Sequence, residues 1–423
     1  MKNYNGFKKI LLSGLLIFLM LAMISCNKSN EDSSTIVFKN VNVIPMDSEI
    51  ILEGYNVIIE DGRIVDLGKS GEVKIPKDVR IIQGKDKFLT PGLVDMHVHY
   101  WYEDDLTLYL ANGVTTIRDM FGNPNNLNIK EQIQEGSLLG PRFYAASPIM
   151  DGSPPIWPGS AVPATPEEAR KFVIEFKEMG YDFIKVYERL SANVYNSIIQ
   201  TAKEQDIPVV GHVPELVGIE KVLKSGQKTI EHLDNYYDGE GLYDLTVENN
   251  VWNCPTIVVY DRRVYPVEIL DGVNYMSPQT IQSYQRSLNP YSPSIGTLKR
   301  ITRKLHEKGA KILLGTDANN PFVIPGFSIH DELCNLVDAG LTPYEAIKAG
   351  TYNAAECLEV LDEAGSIEIG KNADLVLLSA NPLDDITNMK AIDGVMIKGN
   401  WISKFEIEEM LEAISEKHKK EEK

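Results

Sequence analysis

Leu89-Thr90-Pro91-Gly92-Leu93-Val94-Asp95-Met96-His97-Val98-His99 reads as a turn followed by a buried strand that ends in two histidines. Side chains at i and i+2 on a strand share a face, so His97 and His99 point the same way. An H-x-H pair alone is a weak signal. Behind an apolar strand opened by Pro91-Gly92 it is a strong one, because paired imidazoles at a strand end suit a shared metal ion.

Working outward, the run is the first of a series. Leu93–His99, Gly113–Arg118, Arg142–Ala146, Phe183–Tyr187, Pro208–His212, Thr229–Leu233, Pro255–Tyr260 and Lys311–Thr316 are short apolar segments with helical patterns between them. Thr165-Pro166-Glu167-Glu168 and Thr342-Pro343-Tyr344-Glu345 carry an N-cap residue, proline at N1 and an acid at N3. After the first of these, Phe172, Val173, Phe176 and Met179 follow helical spacing. Eight βα units predict an α/β fold, a closed (β/α)₈ TIM barrel over residues 92–361. Two connections are long, Ser147–Ala164 and Asp261–Ser292. Both follow strands and so belong to the C-terminal face, where barrel sites lie, as candidate pocket walls. Trp101, Tyr102 and Tyr187 are further candidate wall residues.

Both flanks of the barrel read as β. Thr35–Ile44, Tyr55–Glu60 and Arg63–Leu67 alternate, with a hairpin turn at Glu60-Asp61-Gly62-Arg63. Ala373–Ser379 and Ile392–Lys398 repeat the style. Neither group buries a core by itself. Residues 35–91 and 362–405 are therefore expected to form one composite β-sandwich, and 406–423 a charged C-terminal helix or tail.

The chemistry follows the strand ends. The chain has seven histidines, and His97, His99, His212 and His232 all terminate expected strands. Asp317 ends the eighth, where a carboxylate can bind a metal and accept a proton from water. Lys185 ends the fourth between apolar neighbours. A buried ammonium beside metal ions is unfavourable. Reaction with CO₂ removes the conflict, since a carbamate is anionic and offers two oxygens.

These residues resemble the amidohydrolase superfamily over nearly the whole mature chain. Leu89–His99 looks like its opening motif, and Gly370-Lys371-Asn372-Ala373-Asp374-Leu375-Val376 like its closing one. Ser328-Ile329-His330-Asp331-Glu332-Leu333 with Ala339-Gly340-Leu341-Thr342-Pro343 is similar to the imidazolonepropionase-like and Xaa-Pro-dipeptidase-like branch. The resemblance implies two divalent metal ions, Zn²⁺ by preference. His97 and His99 would sit on the more buried ion, Lys185 would bridge as a carbamate, and His212 and His232 would hold the outer ion. Asp317 would be ligand and general base. It further implies hydrolysis of a carbon–nitrogen bond, in an amide or dipeptide, by a metal-bridging hydroxide. Cyclic amides, lactones and deamination are alternatives on the same scaffold. An inactive envelope binding protein is the non-enzymatic one. Tyr260, Arg262 and Arg263 are candidates for holding a substrate carboxylate, and His330 for reaching the pocket.

The first residues carry a different message. Lys2, Lys8 and Lys9 precede the apolar Ile10–Ile24, too short for a bilayer span of roughly 20 residues. Residues 1–25 read as a secretory signal, and Met23-Ile24-Ser25-Cys26 resembles a bacterial lipobox, with Cys26 as the lipidated residue. Residues 26–34 read as a polar tether. The expectation is a lipid-anchored protein of the bacterial envelope, outside the cytoplasm. The formal charge of −18 argues against a nucleic-acid partner. The four cysteines show no framework spacing, so no disulfide scaffold is expected. A homo-oligomer is compatible with the sequence.

Overall fold

A computed structural model describes residues 35–237, 239–261, 270–286 and 294–421. The expected signal, Cys26, Arg262 and Arg263 lie outside the described residues. The description opens with strands β1 (Thr35–Val43), β2 (Leu52–Glu60), β3 (Arg63–Lys69), β4 (Arg80–Gln83) and β5 (Phe88–Pro91). The expected hairpin joins β2 to β3. Asp61 and Gly62 adopt φ of 48° and 75°, the paired left-handed conformation that matches strand twist.

The barrel strands follow. β6 (Leu93–Val98), β7 (Val114–Asp119) and β8 (Arg142–Ala145) pair in parallel. So do β9 (Ile184–Val186), β10 (Val209–Gly211), β11 (Thr229–Glu231), β12 (Trp252–Cys254) and β13 (Lys311–Ile312). Hydrogen bonds cross both seams between these groups. Ser147 N donates to Phe183 O (2.8 Å) on one side. Met96 N donates to Leu314 O (2.9 Å) and Asp317 N to His97 O (2.7 Å) on the other. The eight strands thus surround one axis, as the βα count predicts. The capped helices form where expected, Pro166–Met179 and Pro343–Ala349, with Thr165 and Thr342 accepting from the backbone N–H of Glu168 and Glu345.

One barrel strand differs from expectation. The seventh is Trp252–Cys254, not Pro255–Tyr260, and Ile257–Asp261 is a short helix. Val258-Val259-Tyr260 has the composition of a strand, but the Glu332 carboxylate accepts from Ile257 N (2.8 Å) and Val258 N (2.7 Å). Capping the first free N–H groups turns the segment into a helix start.

The chain then returns to the first strands with β14 (Leu375–Leu378), β15 (Ile392–Ile397) and β16 (Asn400–Ser403). They extend one eight-stranded sheet, ordered β16-β15-β14-β5-β1-β2-β3, with β4 on β1. The expected sandwich is therefore a single sheet curled over its own core. Phe38 of β1 meets Trp401 of β16 edge to face at 5.3 Å, although three strands separate them in the order. The sheet also meets the barrel, where Gly92 N donates to Asp374 O (2.9 Å). A helix, Lys404–Glu421, ends the described chain. Among the described residues no helix is long and apolar enough to cross a membrane, and Cys254, Cys334 and Cys357 are free thiols.

Candidate active site

The strand ends surround a cavity of about 640 Å³, lined by His97, His99, Lys185, His212, His232 and Asp317 among others. Four imidazoles form a chain, with ring centroids 5.4 Å apart for His97–His99, 4.6 Å for His97–His232 and 4.8 Å for His212–His232. Asp317 Oδ1 lies 2.9 Å from His99 Nε2 and 3.4 Å from His97 Nε2. Burial raises the Asp317 carboxyl's pKa, but the imidazoles of His232, His97 and His99 outweigh this and hold it well below the usual carboxylate range. His232 and Asp317 adopt φ of 60° and 65°, a costly backbone state for such residues and one that clusters at functional sites.

Three of the histidines, His97, His232 and His212, are oriented from behind. His97 Nδ1 sits 2.8 Å from Glu231 Oε2. Burial raises the Glu231 pKa, yet Arg118 and Lys185 bring it below its ordinary value, so the carboxylate is ionised and only accepts. Nδ1 therefore carries the proton, and Nε2 offers its lone pair. Arg118 Nη2 in turn bonds Glu231 Oε1 at 2.9 Å, and its Nε donates to Met96 O at 2.6 Å. This buried Arg118–Glu231–His97 line is the second layer that fixes a ligand's tautomer. Sequence reasoning missed it. Its signal was Glu231, an acid inside an apolar strand directly before His232. His232 Nδ1 pairs with Thr256 Oγ1 at 2.7 Å, and burial lowers its pKa to about 4. His212 Nδ1 lies 2.7 Å from Asp234 Oδ2 and 3.4 Å from Glu188 Oε1. Burial lowers the His212 pKa, and Asp234 more than restores it.

Lys185 is 1% exposed, and its Nζ has no hydrogen-bond partner among the described residues. Burial lowers its pKa to about 8 against the opposing pull of Glu231 and Asp317. The side chain needs Gly211 beside it. A Cβ there would stand 2.2 Å from Val186 O and 3.1 Å from Lys185 Cδ, on a backbone with φ of 132°. We expect Gly211→Ala to cost at least ~2 kcal/mol. Calorimetry should show a melting temperature lower by several degrees, and an unchanged value would refute the close approach.

Buried polar atoms without partners normally call for an explanation. Here His97 Nε2, His99 Nδ1 and Lys185 Nζ, all on residues that line one cavity, have no hydrogen-bond partner among the described residues. Nitrogen and carboxylate donors of this kind suit Zn²⁺ and related divalent ions. His97, His99 and Asp317 also bring three donor atoms within 4.8 Å of one another.

The walls come from both long connections. Ile149, Trp157 and Pro158 line the cavity from the first, and Ser283 and Tyr284 from the second. Trp101, Tyr187 and Tyr260 also face it, as the sequence suggested for wall and substrate residues. Two expectations are corrected. Tyr102 lies in a separate depression with Tyr275 and Lys417. His330 does not line the site; it is buried at 4% exposure in the helix Ser328–Asp338, with its apolar neighbours Ile329 and Leu333. Its position in that helix turns it into the core rather than toward Asp317.

Known proteins resemble this chain in sequence and fold. Ochratoxinase of Aspergillus niger is 27% identical over 85% of this chain and 84% of its own. The structure of bottromycin amidohydrolase superposes with a TM-score of 0.78 at 25% identity, over 92% of each chain. A Xaa-Pro dipeptidase with bound methionine gives 0.71 at 22% identity, over 88% of this chain and all of that one. The amidohydrolase family model matches residues 88–402, from β5 through the barrel to β16. With that match spanning barrel, cavity and closing sheet alike, the chain belongs to the amidohydrolase family, whose members are hydrolases acting on carbon–nitrogen bonds.

Proposed function

We propose that the protein is a two-metal hydrolase of amide bonds in small N-acyl amino acids or dipeptides. His97, His99, His212, His232 and Asp317 would hold the ions, with Lys185 bridging them as a carbamate. The observation that carries this reading is Lys185: a buried amine without a partner, its pKa lowered by burial to about 8. An amine in that state supplies the neutral nucleophile that CO₂ requires. A permanent ammonium there would stand beside the metal ions at a high electrostatic cost.

When bound, divalent ions supply Lewis acidity that makes water nucleophilic near neutral pH. The chain supplies the rest. Asp317, held ionised, takes the proton of the attacking water and delivers it to the leaving nitrogen. Glu231 and Arg118 keep His97 in one tautomer. Trp157, Tyr187 and Tyr260 give the cavity aromatic walls suited to an apolar substrate group. We also infer from Lys8, Lys9 and the Met23-Ile24-Ser25-Cys26 stretch that this chemistry operates on a lipid tether outside the cytoplasm. Palmitate labelling lost in Cys26→Ser would support that, and labelling retained would oppose it.

Metal content tests the central reading. Protein produced with Zn²⁺ and bicarbonate should contain about two equivalents per chain, as two-metal sites do. Chelation should abolish amide turnover, and metal with bicarbonate should restore it. A reproducible value near one equivalent would sink the bridging-carbamate claim.

A further inference from the structure

Tyr187 lies two residues beyond Lys185, just past the end of β9. Its ring is 4.0 Å from that of His212, centroid to centroid, and it lines the cavity that holds Asp317. Trp157, on the wall after β8, places its indole Nε1 2.8 Å from the Tyr187 hydroxyl. An indole nitrogen only donates, so the phenol oxygen is the acceptor in this pair. The phenol's own proton is then left over. Among the described residues it meets no acceptor.

The pair is firmly mounted. Met150 N donates to Lys185 O (2.8 Å), and Tyr187 N donates to Met150 O (3.0 Å), so the wall makes a parallel bridge to β9 at Val186. Asp151 ties the wall down further, accepting from Ile156 N (2.9 Å) and Arg189 N (2.7 Å). The indole is thus held on backbone that is bonded on both sides of Tyr187.

We propose that Tyr187 is a catalytic hydrogen-bond donor and that Trp157 is the positioning residue that aims it. The phenol proton is presented to the substrate oxygen on which negative charge develops as the carbonyl is attacked. No bond to Tyr187 is made or broken, and the proton stays on the phenol oxygen. Tyrosine's ordinary pKa is near 10 and burial raises that of Tyr187, so the phenol keeps its proton at neutral pH. A donor fixed before the reaction costs no reorganisation during it. The inference rests on the amide-hydrolase reading of the same site.

Two variants of the metal-loaded full chain test it. Tyr187→Phe keeps the ring against His212 and removes the hydroxyl. Trp157→Phe keeps the hydroxyl and removes the group that aims it. On an N-acyl amino acid substrate, Tyr187→Phe should lower kcat by about 10²–10³-fold, the effect of deleting one such donor. KM should move little and metal content not at all. Trp157→Phe should cost about tenfold in kcat, and the double variant should be no worse than Tyr187→Phe alone, since both act through one hydroxyl. Binding gives a second readout. Tyr187→Phe should weaken the tetrahedral probe N-methylphosphonyl-L-proline and leave the planar N-acetyl-L-proline unchanged. Wild-type kcat in Tyr187→Phe, or equal loss of both probes, would overturn the proposal. A wild-type enzyme that hydrolyses no amide would instead refute the underlying reading. The probe comparison needs no turnover and would still decide the role of Tyr187.

Discussion

Lys185→Ala should lose at least about 10³-fold in turnover together with part of its bound metal. The variant removes the one group proposed to bridge the two ions, and metal assistance is worth several kcal/mol of transition-state stabilisation, each 1.4 kcal/mol being tenfold. It also removes a buried nitrogen without a partner, so the fold should survive. That separation makes the variant informative: the circular dichroism spectrum should stay near wild type while metal analysis changes. A short carboxylate such as acetate offers the two oxygens that the carbamate would supply. Its addition should restore part of the activity to Lys185→Ala and none to Lys185→Arg. The pH dependence has a definite sign. CO₂ reacts with the neutral amine, and the Lys185 pKa is lowered to about 8. Carbamate formation on metal-free protein should therefore speed up as pH rises toward 8 and level off above it. A Lys185→Ala enzyme with full metal content and full activity would overturn the assignment.

Asp317→Asn should lower kcat by about 10³–10⁴-fold, near the upper range for removing a general base. The amide is nearly the same size, so contact with His99 Nε2 at 2.9 Å is preserved in shape. What is lost is the charge that receives a proton. Retention of metal is the distinguishing measurement, because the four imidazoles remain. If the variant binds metal and stays inactive, the proton-transfer role is supported. If it stays active, that role is wrong.

Much of this site was legible because strands impose a simple geometry. His97 and His99 had to share a face, and each of His212, His232 and Asp317 followed an apolar run at a place where barrels open. The composite sheet was legible for the related reason that neither end had enough strands to bury a core. The unread parts depend on contacts between residues far apart in the chain. The helix at Ile257–Asp261 is set by Glu332, and nothing in Val258-Val259-Tyr260 announces that partner. Arg118 and Glu231 are charges inside strands, and only their meeting explains why both are fully buried. The Trp157–Tyr187 pair joins a loop to a strand end across a gap that no periodicity measures. His330 was misplaced by its nearness in sequence to Asp317, which a helix start between them converts into distance from the cavity.

The pairing of β5 with β14 sets the order in which the chain can mature. Thr90 sits opposite Val376, and Leu89 opposite Leu377. The strand that leads into His97 is therefore braced by residues made far later than itself. Pairings of such long sequence separation make folding slow and keep apolar strands exposed meanwhile. A ribosome-bound chain ending before Leu375 should remain protease-sensitive around Leu93–His99. The face that carries His97 and His99 would then become ordered only once β14 has been made.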